Sequence, residues 1–274
     1  MRKINKKYLY LPREFRFKHD ICFSLVGEIE ELITKDDYKD LKYCAIPIRE
    51  TDILTSEENI LDFLLQTGRK DEYDLIVKNN IVYALIIDVC YFLQEALSCS
   101  LKMRFSVVFS LLRKPFVYNL IVLLRIIYEK DFIDKFTKSE LFDSTSITKE
   151  EKIWLIEKSL ENSLSLKKED SIFIFDLIFN KENPESIINM SEKALHLSTT
   201  RNPKNNTEKQ NLNFIFSTYD DNLSMWNYLY SKLPLLILYL TEVFDLYVLP
   251  VTKLDTSKLN DRLKKRIRIF NNMC

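Results

Sequence analysis

The chain has 274 residues, with 40 basic side chains balanced by 40 acidic ones and only two glycines, Gly27 and Gly68. That length can bury a full core in one large domain. Scarce glycine argues against turn-rich all-β folds and glycine-dependent phosphate loops. Neither G-x-G-x-x-G nor G-x-x-x-x-G-K occurs, so ordinary Rossmann or P-loop nucleotide binding is not expected. Five cysteines (Cys22, Cys44, Cys90, Cys99, Cys274) and two histidines (His19, His196) lack zinc-ligand spacing. The expectation is free thiols in a reducing cytoplasm, with no metal and no cofactor. The basic N-terminus lacks the apolar segment and cleavage site of a secretory signal.

Zero net charge hides an asymmetry. Residues 1–18 hold seven basic side chains against Glu14, and residues 258–274 hold six against Asp261, so the ends carry +6 and +5 and the remainder −11. Basic ends on an acidic body point to an anionic partner such as RNA or DNA, to another protein or a second subunit, or simply to solvated termini.

In chain order, a basic arm (residues 1–20) interleaves Tyr8, Tyr10, Phe15 and Phe17 with charge, and Phe15-Arg-Phe-Lys18 alternates like a short strand or extended arm. Asp20 is a candidate N-cap for a helix carrying Ile21, Leu25, Ile29 and Leu32. Residues 36–54 read as a loop. Thr55-Ser-Glu-Glu58 forms a capping box ahead of Ile60, Leu61, Leu64 and Leu65, with Gly68 as the stop. The stretch from Ile81 to Tyr128 is apolar on nearly every side and marks buried helices. Its runs, split by polar steps, fall short of the roughly 18 residues of a bilayer span, so a soluble protein without membrane contact is expected. Pro115 either opens a new helix or kinks a continuous one.

Residues 137–148 form a Ser/Thr-rich surface loop, and Thr148-Lys-Glu-Glu151 is a second capping box. Ser171–Phe179 is helical, although Ile172-Phe-Ile-Phe175 also fits a strand. Asn183-Pro184 would open a helix through Leu195. Residues 201–213 form the longest loop. Asp221–Leu249 is helical around Pro234, and residues 257–274 form a basic amphipathic helix capped by Thr256 or Ser257. The reading is all-α: a single domain of about nine helices.

Three groups of residues could carry chemistry. If the helix continued past Leu195, His196 would share a face with Thr199 and Thr200, with Arg201 on another; an imidazole there could act as acid or base near neutral pH, or serve as a helix end. Arg113 and Lys114 interrupt the apolar region, and an arginine among buried helices needs an anionic partner: Asp88 as a structural ion pair, or a bound phosphate or nucleotide. Arg262, Lys264, Lys265, Arg266 and Arg268 crowd the last helix and are the nucleic-acid candidates, with Lys264, Lys265 and Arg266 opposite its apolar face.

The helical pattern, the Leu111-Leu-Arg-Lys-Pro-Phe116 turn and the helix ending at Leu195-His196 resemble the HEPN-type helical proteins of bacterial defence and toxin systems, over residues 70–250. In nuclease members of that family an arginine precedes the histidine with four to six residues between. Here those positions are Ser191, Met190 and Asn189, none of them arginine. The resemblance therefore implies a binding or regulatory module of an antiviral defence system, with a metal-independent ribonuclease using His196 and Arg201 as the alternative. A nucleotide or small-molecule sensor built on Arg113 and Lys114 is the third reading.

Overall fold

A computed structural model describes residues 7–47, 49, 59–163, 165–200, 206–215, 217–252 and 254–271. Among them the periodic segments are helices and none forms a strand. Phe15-Arg-Phe-Lys18 lies in the first turns of α1 (Arg13–Thr34), whose N-cap is Pro12 rather than Asp20. Proline is at home there because its missing amide would have no helical acceptor. Asp20 instead accepts from Tyr8 Oη at 2.7 Å. Part of the expected loop after α1 is a short helix, α2 (Lys39–Lys42). The capping box at Thr55 lies outside the described residues. Helix α3 (Ile60–Gln66) has Asn59 as N-cap, its side chain accepting from Leu61 N, and the chain leaves it through Gly68 at φ +70°.

Helix α4 (Lys70–Ser100) is followed by a turn through Met103, then by α5 (Phe105–Arg113), a π-helical turn (Lys114–Asn119) and α6 (Leu120–Tyr128) without a break. Pro115 therefore sits inside one continuous element. Its ring removes a backbone donor, and the ladder adjusts by widening, with Leu120 N bonding to Pro115 O. A short helix α7 (Phe132–Lys138) precedes the 139–148 loop. The capping box at Thr148 and Glu151 opens α8 (Lys149–Leu160) as expected.

Helix α9 (Ser171–Ile178) takes the helical option over the strand. Ser186, not Asn183, caps α10 (Ile187–Leu195). Helix α11 (Tyr219–Val251) starts from a Thr218–Asp221 capping box and runs through Pro234, and α12 (Thr256–Asn271) closes the chain.

The buried apolar side chains form one continuous cluster. Helix α1 packs on α4 and α11, α5 on α4 and α10, and α8 on α6 and α9. The middle therefore belongs as much to α11, which buries Trp226, Tyr230, Leu236, Leu240 and Phe244, as to the Ile81–Tyr128 stretch. Lys70–Ser100, Phe105–Tyr128 and Tyr219–Val251 are also long and apolar enough to cross a membrane by length and composition, with 28%, 61% and 67% of their most apolar windows buried inside the protein. Folding joins runs that polar steps divide in the sequence, so run length does not by itself exclude a membrane.

The basic last helix is tied to the body by buried ion pairs. Arg262 Nη2 lies 3.0 Å from Asp245 Oδ1, and Arg266 Nη2 lies 2.7 Å from Asp245 Oδ2 and 3.2 Å from Glu28 Oε2. Arg262 Nη1 also donates to the Glu28 carbonyl at 3.2 Å. All four side chains are buried. Arg262 and Arg266 thus join α12 to α1 and α11, and Arg266 does not stand on a solvent face with Lys264.

Candidate functional site

Among the described residues, those singled out in the sequence do not meet at one place. His196 is exposed and ends α10 as its C-cap, and its backbone amide closes on Glu192 O at 3.1 Å. The helix stops there, so His196 shares no helical face with Thr199 and Thr200. Thr199 instead pairs with the following loop: its amide donates to Thr207 Oγ1 at 2.8 Å, and Thr207 N returns a bond to Thr199 O. Thr200 is exposed, and Arg201 lies outside the described residues. Lys264, Lys265 and Arg268 are exposed, and Lys265 reaches Glu28 Oε1 at 3.6 Å.

Arg113 and Lys114 part company, because consecutive helical residues point about 100° apart. Lys114 takes the partner expected for Arg113. Its Nζ lies 2.7 Å from Asp88 Oδ1, while Asn119 Nδ2 donates to the other oxygen of the same carboxylate at 2.6 Å. Arg113 turns the other way. Its Nε donates to Tyr118 Oη at 2.7 Å, Nη1 to Ser191 Oγ at 3.3 Å, and Nη2 stands 3.8 Å from Glu192 Oε1. The guanidinium is held in place, yet its carboxylate partner lies too far for a hydrogen bond.

Beside Arg113 opens a cleft of about 420 Å³. The π-helical turn lends it Val117 and Tyr118, the loop before α8 lends Thr145, and the first turn of α8 lends Lys149 and Lys152. Phe175 and Phe179 come from α9 and its end, and Asn180, Lys181 and Glu182 from the turn that follows. Four cations thus line the cleft against one carboxylate. Three of them lie beside rings: Lys149 Nζ is 5.6 Å from the Phe175 centroid, and Lys152 Nζ is 5.9 Å from that of Phe179. Arg113 Cζ sits 5.5 Å from the Tyr118 ring. Such cation–ring contacts are electrostatically favourable.

Lys152 is half-buried and donates to Ile147 O at 2.8 Å. Burial, reinforced by the charge of Lys181, holds its ammonium below the usual lysine range, and Glu151 only partly offsets this. It has no ion pair with any described residue. A half-buried lysine held below its usual range beside a cleft is a candidate ligand-binding group.

The walls are fixed by buried polar contacts. The Asp176 carboxylate accepts from Asn180 Nδ2 at 2.6 Å and Asn183 Nδ2 at 2.7 Å, tying the turn to α9. Fully buried Asn189 donates to Lys181 O at 2.9 Å and Asn183 O at 2.7 Å. On the other side Arg125, paired with Glu129, donates to Ser144 O at 2.8 Å and holds the 139–148 loop.

Of these lining residues only Arg113 stood out in the sequence. Lys149 and Lys152 are three apart after a capping box, and Phe175 and Phe179 are four apart, so each pair was legible as one helical face. Nothing local indicated that the two faces meet. Compared with protein-family models, with curated proteins and with solved structures, the chain gives no match.

Proposed function

We propose that this protein is a helical binding module, regulatory rather than catalytic, whose ligand is a small anion-bearing molecule received in the Arg113 cleft. The observation that carries the proposal is the gathering of Arg113, Lys149, Lys152 and Lys181 around one concave volume with Glu182 as the lone lining carboxylate. The volume is within the range of about 300–1,000 Å³ common for small-molecule sites. A binding role also agrees with the HEPN-type resemblance, in which members lacking the arginine–histidine pair act as binding or regulatory modules. The module is taken as soluble and cytoplasmic, its apolar helices serving as core.

The test is calorimetric titration of the full chain with inorganic phosphate, pyrophosphate and phosphorylated metabolites, at low and high salt. Binding that weakens with salt and is lost in Arg113→Ala and Lys149→Ala supports the proposal. No binding by any of these anions, or binding unchanged in both variants, refutes it.

Nucleic-acid contact through the basic ends is the second reading. With Arg262 and Arg266 occupied by Asp245 and Glu28, it rests on Lys264, Lys265 and Arg268 of the last helix. The ribonuclease alternative places the chemistry on His196 and Arg201. His196 does not line the cleft and Arg201 lies outside the described residues, so RNA cleavage by the purified protein tests that reading separately.

A further inference from the structure

The geometry points to a more specific ligand for this cleft: a single nucleotide, its phosphate held by Arg113, Lys149 and Lys152 and its base laid against the exposed ring of Tyr118, with the buried Phe175 and Phe179 in the wall. This rests on the anion-binding reading above and narrows the ligand class.

Three observations carry it. First, cations and rings border the same volume. The ammonium of Lys149 and that of Lys152 each stand beside a phenylalanine, and the Arg113 guanidinium is tethered to the Tyr118 hydroxyl. A bare anion needs only the charges, whereas an aromatic base carrying phosphate uses both kinds of surface, because every base offers a face to stack on a ring. Second, Lys152 is partly enclosed beside Lys181 and donates one hydrogen bond, to Ile147 O, which leaves two of its three donors for a ligand. A phosphate dianion supplies both acceptors and charge for those donors. Third, the cleft is preformed and small. Asp176, Asn189 and Arg125 brace its walls, and about 420 Å³ suits a monomer, not a folded strand.

This route to phosphate differs from the glycine loops that the sequence lacks. Side-chain cations take the place of backbone amides. The amide end of α8 is already engaged by its own capping box, where Thr148 N donates to Glu151 Oε2 at 2.7 Å and Glu151 N donates to Thr148 Oγ1 at 3.2 Å.

The experiment titrates full-length protein with AMP, GMP, CMP and UMP, with the four parent nucleosides, with pyrophosphate and with a short single-stranded RNA. At least one nucleoside monophosphate is expected to bind about tenfold or more tighter than both its nucleoside and pyrophosphate. Lys152→Met should lower that affinity by at least about tenfold while leaving the protein folded, since the side chain is only half-buried. Tyr118→Leu should weaken the nucleotide more than it weakens pyrophosphate, because it removes the ring for the base as well as the hydroxyl that holds Arg113.

Pyrophosphate binding as tightly as every nucleotide would overturn the nucleotide assignment and leave the anion-binding function standing. Tighter binding of the RNA than of any monomer at the same residues would also overturn it. Failure of every phosphate compound would remove both. Loss of folding in Lys152→Met would overturn the functional account of that lysine, because it would then be a structural residue.

Discussion

His19 allows a prediction whose size follows from the structure. Its Nδ1 lies 2.8 Å from Tyr230 Oη, which lies 2.7 Å from Ser100 Oγ, and Ser100 Oγ donates to Leu97 O at 2.7 Å. Since the Ser100 proton is committed to Leu97, the chain closes only if Tyr230 donates to Ser100 and the imidazole donates through Nδ1. The histidine is 6% exposed, and burial pulls its pKa down to about 4 from 6.5, against a smaller opposing pull from Asp20. The unfolded chain therefore takes up a proton below pH 6.5 that the folded chain accepts only near pH 4. Stability contributed by the neutral histidine is present in full above 6.5 and falls as the pH drops through that window. The loss is about 2 kcal/mol by pH 5 and roughly 3 kcal/mol when complete, at about 1.4 kcal/mol per tenfold change in proton affinity. Urea unfolding at pH 7 and pH 5 measures it in wild type and in His19→Asn, which keeps a polar atom near the Nδ1 position and does not titrate. Carboxylates titrating at low pH contribute to both proteins, so the difference isolates the histidine. The variant starts less stable because it leaves space where the ring packed, but its loss between the two pH values should be smaller by about 2 kcal/mol. Equal losses in the two proteins would refute the argument.

Asp245→Ala should destabilise the protein by roughly 3–5 kcal/mol, because it leaves the Arg262 and Arg266 guanidinium groups buried without that carboxylate; thermal melting should fall by about 10 °C. Asn189→Ala should cost about 1–3 kcal/mol by stranding the carbonyls of Lys181 and Asn183, and calorimetry should show weaker ligand binding as the turn at the cleft loosens. Lys264→Glu with Lys265→Glu should abolish RNA or DNA binding without unfolding if the end of the chain contacts nucleic acid, whereas adding Arg266→Glu should lower the melting temperature sharply. His196→Ala should leave both activity and melting temperature nearly unchanged, since the side chain is exposed and makes no hydrogen bond within the described structure; a large loss in an RNA-cleavage assay would favour the ribonuclease.

Sequence alone determined the all-helical class, the capping box at Thr148, the stop at Gly68 and the apolar faces of the long helices. Each of these is decided within a turn or two of chain, where hydroxyl, carboxylate and glycine act on neighbouring backbone groups. It misplaced the start of α1, because alternation over four residues cannot tell a strand from a first helical turn, and it left Pro115 open, because one proline fits a helix start or a widened ladder equally well. It gave Asp88 to Arg113 because both are charges in an apolar stretch. The tertiary structure instead matched Asp88 with Lys114 and Asn119 and turned Arg113 towards the cleft. Likewise, Arg262 and Arg266 looked like surface cations until the fold brought Glu28 and Asp245 from α1 and α11 beside them. The cleft itself joins the π-helical turn, the start of α8 and the end of α9, elements up to about sixty residues apart in the chain. Their convergence depends on how whole helices pack, and packing is set by the complementarity of distant surfaces, which no local pattern records.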